Sequence, residues 1–312
     1  MSALRKGLFN VNLFNYDEYD IKRDVKLVYG ENKVLKTLCF KEISYEKSKK
    51  MIIENHYSHK WNTSFGKINI GVFEKDILLG VASYGNLMNP NSYKQFNENF
   101  EKDSIIELNR LWLDDSLGKN AETILMKASH DIIRKKYPHI KAIQSFADGR
   151  LGCGTIYKAM NFKYYGFSET LFYEHLDGTT YHKVPMENTC RPDGLIKLNY
   201  MWAKKELKPF KVKTYRYIYV LYKDVKINIE QKEYPKYSIG LEYIDNYKHN
   251  EKLIQRAIVL SYILGYKKEF IFLINFLDKI EMEKTINENT IIDIAKNKKK
   301  LNNLLDFELE YL

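Results

Sequence analysis

The chain has 312 residues, of which 45% are hydrophobic and 29% charged, so it is long enough for one or two globular domains and too apolar for wholesale disorder. Its three cysteines, Cys39, Cys153 and Cys190, form no CxxC pair, which argues against a disulfide framework and against a zinc ribbon. The net charge of +10 favours a polyanionic partner such as nucleic acid, although abundant lysine, asparagine, isoleucine and tyrosine are also typical of proteins from AT-rich genomes.

The hydrophobic pattern contains no membrane signal and divides the chain into three parts. No apolar run reaches the ~20 residues that cross a bilayer, and the first residues lack the apolar stretch of a signal peptide, so we expect a cytoplasmic protein with no membrane partner. Residues 1–36 are mixed and charged, which predicts an irregular arm or an edge strand. Residues 37–240 predict an α/β core, and residues 241–312 predict a helical C-terminal subdomain that could mediate a homodimer.

Strand and helix signals alternate along the core in a definite order. The pattern predicts a strand over 34–40, a helix over 44–55 capped by Ser44, and a hairpin made by 68–73 and 78–84. It next predicts a strand over 104–113, a helix from Ala121 to about Lys136 and a strand over 142–147. Beyond residue 240 the apolar runs predict helices over 253–264, 270–277 and 291–309. We therefore expect a mixed sheet flanked by helices, the α/β (α+β) class.

The turn between the strand over 104–113 and the following helix is a candidate phosphate site. Backbone N–H groups at a helix start attract phosphates, and a pyrophosphate would suit the small and basic residues Ser116, Gly118, Lys119, Asn120 and Ala121. The spacing matches neither a Walker A loop nor a dinucleotide fingerprint. An ordinary helix start therefore stays open as the alternative.

The stretch after the strand over 142–147 carries the strongest sign of chemistry. Asp148 follows a mostly apolar strand at the position where open α/β sheets gather their sites, and Gly149, Gly152 and Gly154 predict a pliable loop that a ligand can approach closely. Tyr157, on the short helix after the loop, could be a proton donor or a stacking platform. The alternatives are a turn-forming aspartate and a half-buried aromatic ring. Cys153 in the same loop fits small-residue packing better than a nucleophile.

Three further groups of residues are candidates for binding. Arg110, in the middle of an apolar strand, either pairs with an internal acid such as Glu107 or faces a cleft, and we favour the cleft. His56 and His59 are close enough in sequence to share a metal ion, with Asp148 or Glu107 as the carboxylate ligand. In the segment 204–222, Lys211 and Lys213 are near Tyr215 and Tyr217. This pattern predicts either a surface that binds phosphates and on which a base stacks, or an amphipathic sheet edge.

The element order and three segments resemble a known family. The order strand, helix, hairpin, strand, turn, helix, strand resembles the core of GNAT acyltransferases. ENHYSHKW (54–61), ELNRLWLDDSLGKNAET (107–123) and SFADGRLGCGTIYKAMNFKYYG (145–166) together resemble the Mom family, a divergent GNAT-fold branch of phage proteins that modify adenine in DNA. The resemblance covers roughly residues 37–222.

The resemblance implies a reaction and a set of site residues. It implies transfer of a carbamoylmethyl or acyl-type group to the exocyclic amine of adenine, in a flipped or single-stranded base, which would protect phage DNA from restriction. It also implies iron, with the essential histidine and tyrosine at His56 and Tyr57, and further site residues at Arg110, Asp148 and Tyr157. The turn at 116–121 lacks the complete signature of acetyl-CoA users, so the donor, an acyl-CoA or an aminoacyl carrier such as charged tRNA, stays open.

Two alternatives belong to other functional classes. One is an ordinary GNAT acyltransferase that uses acetyl-CoA, bound at the turn 116–121, on a protein or small-molecule amine. The other is a non-catalytic GNAT-like protein that grips DNA through its basic surface and blocks a host defence nuclease. The nature of any covalent product separates the three possibilities.

Overall fold

The protein has a mixed α/β fold, seen in a computed structural model that describes residues 18–276 except residue 189. The α/β class predicted from the sequence is confirmed. The predicted helix over 291–309 and the first part of the predicted arm lie outside the described residues. The strands are β1 (Ile21–Tyr29), β2 (Asn32–Glu42), β3 (Ile68–Glu74), β4 (Ile77–Gly85), β5 (Ile105–Leu113), β6 (Ala142–Asp148), β7 (Lys163–His175), β8 (Thr180–His182), β9 (Leu207–Val220) and β10 (Leu241–Tyr243). The helices are α1 (Tyr45–Asn55), α2 (Ala121–Lys136), α3 (Thr155–Ala159), α4 (Lys183–Met186), α5 (Pro192–Ala203), α6 (Glu251–Ile263) and α7 (Lys267–Phe276).

The elements from β2 to β6 follow the order predicted from the sequence. Helix α1 begins directly after Ser44, whose hydroxyl accepts a hydrogen bond from the backbone N–H of Lys47 at 3.3 Å, as the predicted cap requires. Helix α2 ends at Lys136, two residues before Pro138, which cannot continue a helix without losing a backbone donor. Helix α5 was not predicted, although Pro192 in its first turn is a favourable start.

The chain is organised as two compact units, and the first unit contains most of the sheet. Among the described residues, this unit comprises 18–168 and 215–239, and the second comprises 169–214 and 240–276. Within the first unit the sheet runs in the order β1, β2, β3, β4, β5, β6, followed by parts of β9 and β7. Strands β1 to β5 pair antiparallel with their neighbours, whereas β5 and β6 run parallel. A parallel pair needs a crossover connection, and α2 supplies it.

Helix α2 packs its apolar face on one side of this sheet. Leu125, Ala128 and Ile133 are fully buried and lie in one hydrophobic cluster with strand residues such as Ile70 and Tyr84. Burial of each large apolar side chain contributes about 1.5–3 kcal/mol to folding. The Tyr84 and Ser129 hydroxyls are hydrogen-bonded to each other within this core at 2.5 Å, so these two buried hydroxyls are satisfied.

The second unit has its own hydrophobic core. Helices α5, α6 and α7 bury Leu195, Ile258 and Leu273 together, and a smaller cluster forms around Tyr173 and Met201. The intensely apolar sequence of α6 is thereby explained by packing between helices. In the part of the chain that the structure describes, no helix is both long and apolar enough to cross a lipid bilayer.

His130 is a buried titratable group in the core of the first unit. Its ring packs 4.5 Å from that of Tyr219, and neither ring nitrogen has a hydrogen-bond partner among the described residues. Burial, assisted by the charge of Arg134, lowers the pKa of His130 to about 3, so the folded protein holds this ring neutral.

We predict that His130 makes the protein less stable below neutral pH. Below the unfolded-state pKa of about 6.5, the unfolded chain binds a proton at this position that the folded chain does not. The free energy of unfolding therefore decreases by about 1.4 kcal/mol for each unit by which the pH is lowered. The free energy of unfolding, measured with urea, should decrease between pH 7.5 and pH 5.5 by about 1.4 kcal/mol more in the parent than in a His130→Leu variant. His56 and His249 also have lowered pKa values, but both proteins contain them. Equal losses in the two proteins would contradict the prediction.

Candidate functional site

A cavity opens where the two parallel strands β5 and β6 part. Their pairing runs from Ile105 opposite Ala142 to Leu108 opposite Ser145 and stops there, although β5 continues to Leu113 and β6 to Asp148. On its other edge β5 stays paired with β4 as far as Leu113. The cavity has a volume of about 640 Å³ and is lined by residues 108–113 and 146–148 among others. It lies at the carboxyl end of β6, the position at which open α/β sheets bind ligands.

The loop between β6 and α3 forms one wall of the cavity and is held tightly. The Leu151 N–H donates to the Asp148 carbonyl at 2.9 Å, and the Tyr217 hydroxyl donates to the Cys153 carbonyl. Gly154 has a φ of +85°, and a Cβ added there would lie 2.8 Å from the side chains of Ala147 and Tyr217. The glycine therefore permits close packing at a left-handed position. The pliable loop expected from the sequence is instead a well-braced one.

The Asp148 carboxylate is paired with Arg150. The Arg150 Nε lies 3.0 and 3.1 Å from the two carboxylate oxygens, and the Arg150 backbone N–H donates to one of them at 3.0 Å. This hydrogen bond raises the pKa of the Arg150 guanidinium, so the guanidinium is charged at neutral pH. Asp148 thus lies at the cavity as predicted. Its carboxylate is already bound by a cation rather than free to take a proton.

Tyr157 places its hydroxyl at the point where the strands part. The Ser145 hydroxyl, which lies 3.0 Å from the Leu108 carbonyl, also lies 2.9 Å from the Tyr157 oxygen, and the Tyr157 hydroxyl is 3.3 Å from the Phe146 carbonyl. The ring stacks on that of Tyr217 at 5.0 Å. Burial raises the pKa of Tyr157 to about 12. The phenol therefore keeps its proton at neutral pH, which suits a proton donor.

His56 and Tyr57 lie on the cavity lining just after α1. The two rings are 4.2 Å apart, His56 is buried, and Tyr57 is 58% exposed. The His56 Nδ1 accepts the backbone N–H of Ser58 at 3.1 Å, which leaves the proton of the neutral ring on Nε2. Burial, followed by the charge of Arg110, lowers the pKa of His56 to about 4. Burial and the nearby Asp148 carboxylate raise the pKa of Tyr57, so both rings are neutral at pH 7.

The expected iron ligands do not fit an iron site as they are arranged. A histidine that binds a metal through Nε2 donates its Nδ1–H to an acceptor, whereas here Nδ1 of His56 is itself the acceptor. Asp148 is bound to Arg150, and Glu107 accepts hydrogen bonds from Asn109 and Gln144 at 3.1 Å each. Within the described part of the chain, no three His, Cys, Asp or Glu side chains are grouped to hold a metal ion.

Arg110 lines the cavity as predicted, without an ion pair among the described residues. Its Nη1 donates to the Asn109 carbonyl at 2.7 Å, its Nε lies 3.3 Å from the Lys60 carbonyl, and its guanidinium lies 4.5 Å from the ring centre of Phe65. Burial lowers the pKa of this guanidinium, which still remains charged at neutral pH. Two backbone carbonyls and the face of an aromatic ring thus stabilise the charged Arg110 guanidinium at the cavity.

In the turn at residues 116–121, the backbone N–H groups of Ser116, Gly118 and Lys119 already have acceptors. The N–H of Lys119 donates to the Val28 carbonyl at 2.8 Å and that of Gly118 to the Asp115 carbonyl at 3.0 Å, while the Ser116 carbonyl accepts from the Tyr29 hydroxyl. A Cβ at Gly118 would lie 2.6 Å from the Val28 carbonyl oxygen, so this glycine allows the turn to pack on the β1–β2 hairpin. Phosphate binding at this turn stays a prediction, through side chains such as that of Lys119 and through the helix start at Asn120 and Ala121.

The segment predicted to bind nucleic acid is divided between the units, and its tyrosines are buried. Tyr215 and Tyr217 are 3% and 1% exposed in the core of the first unit, so the prediction that they stack on a base is wrong. Lys211 and Lys213 belong to the second unit, where the Lys211 ammonium lies 3.6 Å from a Glu169 carboxylate oxygen. Phosphate contact by these lysines stays a prediction.

The sequence reasoning missed two polar features beside the cavity. Ser145 holds the Tyr157 hydroxyl, and the buried Glu107 carboxylate binds two amides instead of Arg110. Burial raises the pKa of Glu107. The available signal was two adjacent polar residues, Gln144 and Ser145, inside an otherwise apolar strand, because buried polar side chains must find partners.

Comparison with known proteins identifies the family. The Mom protein family model matches residues 37–236 of the chain. The methylcarbamoylase mom of Escherichia phage Mu is 34% identical over 208 residues, which cover 64% of this chain and 85% of the phage Mu protein. The family prediction made from three sequence segments is therefore confirmed.

Solved structures with partial similarity are acetyltransferases. Arabidopsis thaliana NAA60 in complex with acetyl-CoA has a TM-score of 0.36 and 9% identity, covering 59% of this chain and 99% of that chain. An N-acetyltransferase from Staphylococcus aureus has a TM-score of 0.32 and 13% identity, covering 59% of this chain and 97% of that chain. At this level of similarity neither structure bears on what the chain binds.

We predict that the purified protein holds iron only in substoichiometric amounts. The Ser58 N–H bond to His56 and the Arg150 bond to Asp148 occupy the groups that a metal would need. Elemental analysis of protein purified without chelators should give the same low iron content for the parent and for a His56→Ala variant. Stoichiometric iron that this variant loses would contradict the prediction and require both hydrogen bonds to break on metal binding.

Proposed function

The chain belongs to the Mom protein family and is a transferase, and we propose that it transfers an acyl-type group to the exocyclic amine of adenine in DNA. The name of the phage Mu relative specifies a methylcarbamoyl group. In that group the carbonyl carbon forms the new bond, whereas in a carbamoylmethyl group a methylene carbon would do so. We propose the acyl-type reaction for this chain and keep transfer of a carbamoylmethyl group as the alternative.

One observation supports the proposal most strongly. His56, Tyr57, Arg110, Asp148 and Tyr157 come from three separated segments of the sequence, and all of them line the single cavity where β5 and β6 part. Four of these groups have shifted pKa values caused mainly by burial, which is common at functional sites. A cavity of about 640 Å³ is also large enough for a nucleobase and an activated acyl group.

The donor is proposed to lie along the open edge of β5. Beyond Leu108 this strand has lost its β6 partner, so its backbone groups can bind an extended chain in the manner of an added strand. The pantetheine arm of an acyl-CoA and the acceptor end of an aminoacyl carrier both carry hydrogen-bonding groups along an extended chain. The base must leave the duplex to reach such a donor, because its amine is paired inside the helix.

The proposed chemistry assigns Tyr157 the role of proton donor. The adenine nitrogen attacks the carbonyl carbon, the new C–N bond forms, and the bond from that carbon to the leaving group breaks. Tyr157, whose phenol is protonated at neutral pH, gives its proton to the leaving group. The attacking nitrogen becomes acidic as the new bond forms and releases its proton to water. The tyrosinate then recovers a proton from solvent.

The charged groups at the cavity are proposed to orient the reactants. Arg110 retains donors that can bind a developing negative charge on the carbonyl oxygen or a phosphate of the strand. Asp148 holds Arg150 in place rather than acting as a base. Lys211 and Lys213 stay candidates for contacts to DNA phosphates in the second unit.

We predict that nucleosides from plasmid DNA of cells producing the protein contain a modified deoxyadenosine, and that Tyr157→Phe lowers its amount about 10²–10⁴-fold, the usual contribution of a positioned proton donor. Mass spectrometry of the digested DNA measures both. Tyr93→Phe, which removes a hydroxyl from a half-buried ring that does not line the cavity, should retain the parent level. Unmodified DNA from cells with folded parent protein would refute the proposed function, and parent-level adduct from Tyr157→Phe would remove that residue from the chemistry.

A further inference from the structure

Leu151 is an exposed apolar side chain at the mouth of the cavity. It is 64% exposed and lines the cavity. Of the large exposed apolar side chains in the described residues, only Leu151 and Tyr57 line this cavity. Leu151 is the more exposed of the two, because Tyr57 is 58% exposed and its ring packs on His56. Single exposed leucines are common, so its position needs further support before a role is assigned.

The backbone that carries Leu151 is fixed on both sides. On the N-terminal side the Leu151 N–H binds the Asp148 carbonyl, and the Asp148 carboxylate is bound by Arg150 through both oxygens. On the C-terminal side the Cys153 carbonyl accepts the Tyr217 hydroxyl, and Gly154 is packed too tightly to carry a side chain. The loop therefore holds the Leu151 backbone rigidly. A side chain that enters a base stack needs such support.

Two guanidiniums lie near Leu151, at a cavity whose lining also includes the carboxylates of Asp115, Glu122 and Asp148. The Arg150 guanidinium precedes Leu151 in the chain, is one-third exposed, and keeps its charge through the bond to Asp148. Arg110 adds a second guanidinium on the cavity lining. Arginine beside an inserted apolar side chain can hold the flanking phosphates while the bases separate.

We propose that Leu151 is the wedge that enters the base stack and fills the space left by the extruded adenine. This inference rests on the proposed function, because only a reaction on a paired base needs such a wedge. Removing a base from the stack costs a few kcal/mol, which an apolar side chain offsets by covering the exposed faces of the neighbouring bases. The base then enters the adjacent cavity, at whose mouth Leu151 lies.

The test uses a fluorescent base at a position that the protein modifies. Sequencing of unamplified plasmid from producing cells locates a modified adenine, and a duplex of that sequence is made with 2-aminopurine in its place. This base lacks the reacting amine and fluoresces more strongly when it leaves the stack. The parent protein should raise the fluorescence severalfold on binding. Leu151→Ala should bind the duplex but reduce that rise about tenfold, and Leu151→Met should keep most of it.

A second duplex separates opening of the stack from binding in the cavity. When 2-aminopurine faces an abasic site it is already unpaired, so Leu151→Ala should raise its fluorescence nearly as far as the parent does. Ile77→Ala is the matched control, because Ile77 is 65% exposed in the same unit but does not line the cavity. This control should behave as the parent does on both duplexes.

The outcomes distinguish the wedge from the proposed function. If the parent modifies no adenine in cells, the proposed function fails, and the wedge fails with it. If the parent modifies adenine and Leu151→Ala gives the parent's fluorescence on the fully paired duplex, the wedge alone is wrong. An equal loss on both duplexes would also overturn it, because Leu151 would then belong to the base-binding wall. A selective loss on the paired duplex supports the proposal.

Discussion

The parting of β5 from β6 after Leu108 and Ser145 is the constraint on which the candidate site depends. Two parallel strands that stay paired would bury their backbone groups in the sheet and leave no cavity between them. Here Ser145 and Tyr157 lie at the fork, and their hydroxyls lie 3.0 Å from the Leu108 carbonyl and 3.3 Å from the Phe146 carbonyl, respectively. The same bonds that stabilise the open strands therefore place a phenol in the cavity.

The elements of the core could be predicted because their signals are local. The Ser44 cap, the apolar face of α2 and the glycine-rich end of β6 each follow from residue types within one or two helical turns. Three short segments also sufficed to identify the family. The cavity residues His56, Tyr57, Arg110, Asp148 and Tyr157 were proposed from those segments, and the fold brings them to one place.

The errors concern partners that lie far away in the sequence. Nothing near Lys119 indicates that its N–H binds the Val28 carbonyl, and nothing near Tyr217 indicates that its hydroxyl binds the Cys153 carbonyl. Tyr217 alternates with Arg216 as a half-exposed strand would, but residues from α3 and the β6–α3 loop cover it. Burial of this kind is set by tertiary packing, which a strand pattern alone does not reveal.

The open edge of β5 offers backbone groups, and every amino acid except proline supplies the same backbone groups. A ligand that is bound through these backbone groups is still recognised after most substitutions of the side chains of the strand. The donor binding that we propose at this edge therefore needs no recognisable sequence motif, whereas side chains that meet the reacting atoms remain tied to their positions. Related enzymes could exchange one activated donor for another by small changes at the ends of this edge, keeping the rest of the scaffold.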